Sequence, residues 1–216
     1  MLGFMWFAFG TTDVRSASAQ GVSPLPTPTA EARLGAHTTP TTTLVLSSSI
    51  TAIGDSVMLG ALRELRSSIA GIDVDAAKSR QMRDATRILV TRHISNTLGD
   101  IVIVHIGNNG PIDAKLFDEM MQPLRGMKFV VVVSLKVSRP WEAGNNLVLA
   151  DGVKRYPNAV LVDWHDLITA NAELLAADGT HLGAKSAKLY ASMIVDALRQ
   201  IVLIPTYPRP ASRLPR

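Results

Sequence analysis

Between residues 46 and 204, short apolar runs alternate with longer segments in which apolar residues recur at helical spacing. The short runs are rich in β-branched residues, which is typical of strands buried on both faces. The pattern predicts strands at ITAIG (50–54), IDVDA (72–76), IVIVHIG (101–107), KFVVVVSLK (128–136) and AVLVDW (159–164). It predicts helices at about 57–70, 81–97, 112–122, 166–176 and 184–202.

This alternation of strands and helices predicts an α/β fold, specifically a three-layer α/β/α domain of flavodoxin-like type. We expect a five-stranded parallel sheet in the order 2-1-3-4-5. In the last predicted helix, Leu189, Met193, Ala197 and Ile201 recur at every fourth position and form a core face. Such sheets carry their functional groups beyond the carboxyl ends of the strands. The candidate functional residues are therefore those that directly follow each strand.

The two ends of the chain differ in composition from residues 46–204, which we predict to be the folded domain. Residues 1–10, MLGFMWFAFG, form an apolar stub that is shorter than the ~20 residues needed to cross a bilayer. A signal segment and a truncated transmembrane helix are both open interpretations of this stub. Residues 11–45 are rich in Ser, Thr and Pro and predict a disordered linker, and residues 205–216 form a Pro/Arg-rich tail.

Composition and charge exclude several classes of protein. The chain has no cysteine, which excludes disulfides, thiolate metal sites and cysteine nucleophiles. Its formal charge is +4, but three of these charges lie in the tail, at Arg209, Arg213 and Arg216. The predicted domain is nearly neutral, so the charge does not indicate nucleic-acid binding. No phosphate-binding glycine motif is present, and no metal or organic cofactor is implied.

Polar residues cluster after the predicted strands. The groups in chain order are Gly54-Asp55-Ser56, Ala77-Lys78-Ser79-Arg80-Gln81, Gly107-Asn108-Asn109-Gly110, Ser138-Arg139-Pro140-Trp141 and Asp178-Gly179-Thr180-His181. Each group also has an ordinary structural interpretation. Ser56 could cap the following helix, Asn109 could belong to a simple turn, and Asp178 could cap the last helix.

Taken together, these residues supply what serine-dependent acyl transfer requires: a hydroxyl nucleophile, a base with an orienting carboxylate, and hydrogen-bond donors for an oxyanion. Ser56 provides the hydroxyl at a strand-to-helix break. Asp178 and His181 are three residues apart and can pair. The N–H groups of Ser56 and Ser79 and the side chain of Asn109 can form the oxyanion hole.

The order GDS, GNNG and DGTH resembles the SGNH/GDSL hydrolase superfamily over about residues 48–202. The resemblance implies that Ser56 is the nucleophile, His181 the base and Asp178 its orienting partner. It also implies an oxyanion hole formed by Ser56, Ser79 and Asn109. The family usually has glycine at the position of Ser79, so serine can serve there only if its backbone angles suit a residue with a Cβ.

Further motifs are similar to the SGNH domains of membrane acyltransferase-3 proteins, which O-acetylate bacterial cell-wall and surface glycans. They are D-A-x-x-x-R-Q at 75–81, Trp141 followed by Asn145 or Asn146, and V-D-W at 162–164. This resemblance implies an O-acyl transferase or esterase, with an acylated donor, a glycan acceptor and an extracytoplasmic, envelope-associated location. It allows a membrane acyltransferase-3 protein as a partner in trans. A non-catalytic glycan-binding module of the same fold is the alternative.

Other polar residues have structural interpretations. His105 lies inside the third strand and is expected to be a hydrogen-bonded core residue. Asp55 is expected to support the turn after the first predicted strand by hydrogen bonding to its neighbours. Asp75 and Arg80 could form an ion pair beside the site, of the exposed kind that contributes little.

Overall fold

The computed structural model describes residues 43–203 and contains the predicted sheet. Its five strands, all parallel, lie in the order β2-β1-β3-β4-β5. They are β1 (Ile50–Gly54), β2 (Asp73–Ala76), β3 (Ile101–His105), β4 (Phe129–Val133) and β5 (Ala159–Val162). The fold class, the strand order and the approximate strand positions predicted from the apolar runs are confirmed.

Helices connect the strands and cover both faces of the sheet. They are α1 (Ser56–Gly60), α2 (Leu62–Ser68), α3 (Met82–Ile94), α4 (Ala114–Met121), α5 (Glu142–Val153), α6 (Trp164–Thr169) and α7 (Ala184–Leu203). The helix predicted at 57–70 is divided at Ala61, and the helix predicted at 166–176 ends early and is followed by a 3₁₀ turn, Ala172–Leu174. Helix α5 was not predicted.

Side chains of each central strand point alternately into two apolar cores. Ile101 and Ile103 of β3 pack into the core beneath α1, α2, α6 and α7, whereas Val102 and Val104 pack into the core beneath α3, α4 and α5. Each fully buried aliphatic side chain contributes roughly 1.5–3 kcal/mol through removal from water. Because both faces of each strand are buried, the strand sequences are continuous apolar runs and do not alternate between apolar and polar residues.

The chain enters this domain at Leu44, which forms a parallel bridge with Ile69. The apolar stub at 1–10, the linker at 11–45 except for its last three residues, and the tail at 205–216 lie outside the described residues. Their proposed character and the exact domain boundaries stay predictions. Within residues 43–203, none of the helices combines the length and apolarity required to span a membrane.

Candidate active site

The first group of polar residues forms a tight turn between β1 and α1, here named the GDS turn (Gly54–Ser56). Asp55 is the N-cap of α1, because its carboxylate accepts a hydrogen bond from the Val57 N–H at 3.0 Å. A Cβ on Gly54 would lie 2.4 Å from the Cβ of Met58, so only glycine allows this close turn. Since Asp55 performs the capping, the Ser56 hydroxyl is not needed for it.

The Ser56 hydroxyl instead meets the DGTH segment, 125 residues later in the chain. It donates to Nε2 of His181 at 3.1 Å, and Nδ1 of His181 donates to Oδ2 of Asp178 at 2.5 Å. The other oxygen of Asp178 accepts the N–H groups of Thr180 and His181, both at 3.0 Å. These bonds, chiefly the one to His181, lower the pKa of Asp178 to about 2. The carboxylate is thus ionised and fixes the imidazole tautomer with Nε2 facing the serine.

The two other candidate oxyanion residues lie in the loops after β2 and β3. Ser79 has a φ of +57°, in the left-handed region that favours glycine. The Asn109 side-chain amide donates to the carbonyl of Arg80 at 3.2 Å, which ties the two loops together. Ser79 therefore keeps a glycine-like backbone conformation, although it is not glycine. The catalytic roles of these residues stay predictions.

Arg80 holds the loop after β2 against the GDS turn. Its guanidinium donates to the carbonyl of Gly54 at 3.1 Å, the carbonyl of Asp75 at 2.6 Å and the carboxylate of Asp75 at 2.6 Å. Only 10% of the Arg80 side chain is exposed. The Asp75–Arg80 pair expected from the sequence is present. It is partly buried, and Arg80 also donates to two backbone carbonyls, so the pair fixes the loop in a way that an exposed surface pair would not.

A buried contact that the sequence did not reveal joins the GDS turn to the GNNG loop (Gly107–Gly110). The Asn108 side-chain amide donates to both carboxylate oxygens of Asp55, at 3.2 and 3.0 Å. Asp55 is 0% exposed and Asn108 is 4% exposed. Burial raises the pKa of Asp55 to about 6, against the opposing effect of these hydrogen bonds. The only sign of this contact in the sequence was the pair of adjacent asparagines in GNNG, of which the first, Asn108, had been given no role.

Helix α5, also missed, supports the other side of the GNNG loop. The Asn145 amide donates to the carbonyls of Gly107 and Gly110, each at 2.9 Å, and its oxygen accepts the Ile112 N–H at 2.9 Å. Just before α5, the Trp141 indole N–H donates to the Asn108 carbonyl at 3.3 Å. Asn109 is thus presented by a loop whose backbone polar groups are fixed from two sides.

His105 lies beneath the site and is fully buried, as expected. Its Nδ1 is 2.9 Å from the Tyr190 hydroxyl and the two rings stack, with centroids 5.4 Å apart. Its Nε2 has no hydrogen-bond partner within residues 43–203, so only half of the ring's polar capacity is satisfied. Burial lowers the pKa of His105 to about 3, which keeps the ring neutral near pH 7.

One group of side chains near the start of α6 has the composition of a metal site: Asp163, His165 and Asp166, whose ligand atoms lie within 4.8 Å of one another. One oxygen of Asp163 already accepts the Ser134 hydroxyl and the Asp166 N–H. His165 bonds both Asp166 and Glu142. These contacts cap α6 and join it to α5, so the group has a structural explanation without a metal.

The fold is similar to that of solved SGNH/GDSL hydrolases. The structure of the Streptococcus pneumoniae peptidoglycan O-acetyltransferase A C-terminal catalytic domain with a methylsulfonyl adduct matches with a TM-score of 0.65 and 24% identity, over 71% of this chain and 94% of that domain. A GDSL-like lipase from Bacteroides thetaiotaomicron matches with a TM-score of 0.55 and 14% identity, over 70% of this chain and 87% of the lipase.

Sequence comparison agrees with the structural match. Peptidoglycan O-acetyltransferase OatA of Listeria monocytogenes is 29% identical over 149 residues, which cover 69% of this chain and 24% of OatA. The chain thus spans about a quarter of the length of the curated relatives it matches. No protein-family profile matches the sequence. The resemblance to SGNH/GDSL hydrolases predicted from the three motifs is confirmed.

Proposed function

We propose that this chain is a serine-dependent O-acyltransferase or esterase that acts on cell-wall or surface glycans, with acetyl as the transferred group. The observation that carries this proposal is the hydrogen-bonded line from Ser56 through His181 to Asp178. The relatives named as peptidoglycan O-acetyltransferases support the substrate class. They also support an extracytoplasmic location, facing the glycan.

In the proposed reaction, the Ser56 oxygen attacks the carbonyl carbon of an acyl ester while Nε2 of His181 takes the hydroxyl proton. Asp178 stabilises the resulting imidazolium, because its ionised carboxylate accepts from Nδ1. The tetrahedral intermediate collapses, the donor alcohol leaves with the proton from His181, and an acyl-serine remains. A glycan hydroxyl or water then repeats the sequence in reverse and regenerates Ser56.

The oxyanion of the intermediate requires donors that are already in place. The Ser56 N–H lies in the first turn of α1, where the helix leaves its N–H groups unpaired and favours negative charge. The Asn109 amide has a second N–H besides the one directed at the Arg80 carbonyl. With the Ser79 N–H, these groups form the proposed oxyanion hole.

Replacement of the nucleophile tests the proposal. Ser56→Ala removes the attacking oxygen, so we expect at least a thousandfold loss of aryl acetate hydrolysis and no labelling by a fluorophosphonate. Ser67→Ala is the matched control, since Ser67 is an exposed serine of α2 whose hydroxyl donates to the Glu64 carbonyl. Hydrolysis by Ser56→Ala at the rate of the wild type would refute the proposal, provided that circular dichroism shows both variants folded.

The reaction product distinguishes acyl transfer from hydrolysis. Incubation with an acetyl donor and a chito-oligosaccharide, followed by mass spectrometry, reports acetyl groups gained by the sugar if the chain is a transferase. Release of acetate alone identifies an esterase. A membrane acyltransferase-3 protein that supplies the donor in trans is the proposed partner if transfer requires one. Binding of the sugar without any labelling of Ser56 would indicate the alternative, a non-catalytic glycan-binding module.

A further inference from the structure

The DGTH segment, which carries both Asp178 and His181, belongs to an exposed loop between Leu174 and Gly183. The side chains of Asp178 and His181 are each 51% exposed, and their hydrogen bond joins two residues of the same loop. That bond orients the imidazole but does not hold the loop against α1. The 3.1 Å separation of His181 Nε2 from the Ser56 hydroxyl therefore depends on how the ends of the loop are fixed.

Apolar residues close the loop and dock it on α1. Leu175 and Leu182 form an antiparallel bridge across the loop. Leu182 lies directly over Gly60, where an added Cβ would be 3.5 Å from the Leu182 Cβ. Gly60 follows Ser56 by about one helical turn, so it lies on the same side of α1. The residue next to His181 thus packs against the helix that carries the nucleophile.

Ser186 fixes the base of the loop from the first turn of α7. Gly183 is the N-cap of α7, since its carbonyl accepts the Ala187 N–H at 2.9 Å, but it has no side chain for capping. The Ser186 hydroxyl accepts the Gly183 N–H at 2.9 Å, as the third helical residue does in a capping box. It donates to the Leu174 carbonyl at 2.9 Å, while the Gly183 carbonyl is farther away at 3.2 Å. Ser186 is 0% exposed, so solvent does not compete for these bonds.

The Ser186 hydroxyl joins the two ends of the loop, because Leu174 precedes the DGTH segment and Gly183 follows it. The two ends lie close together: a Cβ on Gly183 would be 3.3 Å from the Leu174 carbonyl oxygen. Glycine at this position therefore lets a single hydroxyl bridge them. A shift of this junction would move His181 relative to α1, and Asp178 would move with it.

We infer that Ser186 is a positioning residue for the proposed reaction. By joining the two ends of the loop, it sets the distance between Nε2 of His181 and the Ser56 hydroxyl. Proton transfer needs these atoms within hydrogen-bond reach, and a displacement of about 1 Å can lower the rate by roughly a hundredfold. The inference rests on the proposed function, because it assigns Ser186 to the geometry of that nucleophile and base.

Ser186→Ala removes both bonds, so we expect the kcat of aryl acetate hydrolysis to fall roughly ten- to hundredfold. KM should stay within about twofold of the wild-type value, because His181 serves both formation and hydrolysis of the acyl-serine and both steps slow together. Thr51→Ala is the matched control. Thr51 is 2% exposed and its hydroxyl accepts the Gly99 N–H at 2.9 Å near the start of β1. This control should also lower the melting temperature, but it should keep the kcat of the wild type.

A kcat within about twofold of the wild type in folded Ser186→Ala would overturn the inference, as would an equal loss in Thr51→Ala. If Ser186→Ala does not fold, Gly183→Ala carries the test, since it keeps the hydroxyl and presses a Cβ on the Leu174 carbonyl. It should lower kcat several-fold, and an unchanged kcat would overturn the inference. The proposed function fails on a different result, hydrolysis by Ser56→Ala at the wild-type rate.

Discussion

Asp55 carries a carboxylate that is fully buried between the GDS turn and the GNNG loop, where it accepts from the Val57 N–H and the Asn108 amide. Asp55→Asn removes the charge while it keeps the size of the side chain and an oxygen able to cap α1. The Asn108 oxygen has no partner within residues 43–203, so rotation of that amide can offer an acceptor to the new NH₂ group. The substitution therefore tests the charge more than the packing.

The expected effect on stability follows from the pKa of Asp55. Burial raises that pKa from 3.8 to about 6, so between these values the folded state holds a proton that the unfolded state has released. The free energy of unfolding then falls as the pH rises through this window. About two pH units at ~1.4 kcal/mol each give a loss of about 3 kcal/mol, complete above pH 6. Asp55→Asn should lack this loss.

Other titratable groups surround Asp55, so the wild-type curve alone does not isolate its contribution. Tyr190 lies on α7, and His181 faces the carboxylate from the DGTH segment. His105 has its pKa lowered to about 3, so its unfolded state binds the extra proton and stability rises with pH between about 3 and 6.5. The Asp55 and His105 trends oppose each other over much of the same pH range. Subtracting the free energy of unfolding of the wild type from that of the variant at each pH cancels the His105 contribution.

The assay is urea unfolding of wild type and variant at several pH values from 4 to 8, followed by circular dichroism. The stability of Asp55→Asn relative to the wild type should increase by about 3 kcal/mol across this range, mostly between pH 4 and 6. Asp84→Asn is the control and should give a flat difference above pH 5, because the pKa of exposed Asp84 is lowered by the Gln81 N–H and Arg87. A flat difference for Asp55→Asn as well would refute a raised pKa at the buried site.

Two further substitutions change residues of the proposed oxyanion hole, one to test catalysis and one to test stability. Asn109→Ala should lower the kcat of aryl acetate hydrolysis by about 10²–10³, the usual cost of one oxyanion donor, and a rate within a few-fold of the wild type in a folded variant would remove Asn109 from the hole. Ser79→Gly should raise the free energy of unfolding by roughly 0.5–1 kcal/mol, since a Cβ in the left-handed region costs more than the extra entropy of glycine in the unfolded chain. An unchanged or lower melting temperature would contradict this reasoning.

The sheet was predictable from the sequence because burial on both faces imposes β-branched runs such as that of β4. Helix α5 was not, because Gly144, Gly152 and the adjacent Asn145 and Asn146 give it weak helical propensity. Tertiary contacts explain these residues. Gly152 packs so closely on Phe117 that a Cβ would lie 2.5 Å from the ring, and Asn145 serves the GNNG loop.

The line from Ser56 to His181 and Asp178 was predictable because parallel strands bring the segments that follow them to one edge. The partner of Asp55 was not, since either Asp55 or Asn108 could have faced solvent. The left-handed backbone of Ser79 was also beyond reach from sequence. Serine rarely adopts that conformation, and the contacts of the neighbouring Arg80 with Gly54, Asp75 and Asn109 account for the path of this loop.

Two of the features that sequence reasoning missed or left open reduce stability, and they lie in the GDS turn and in the loop that Arg80 holds against it. Ser79 holds a backbone conformation unfavourable to a side chain, and Asp55 is ionised and buried at pH 7. The ionised carboxylate accepts from Val57 on one side and Asn108 on the other, and so joins the proposed nucleophile to the loop that presents Asn109. An amide at position 55 has only one acceptor atom and cannot make both bonds in the same way. If the charge is retained for this reason, Asp55→Asn should gain stability near pH 7 while it loses turnover.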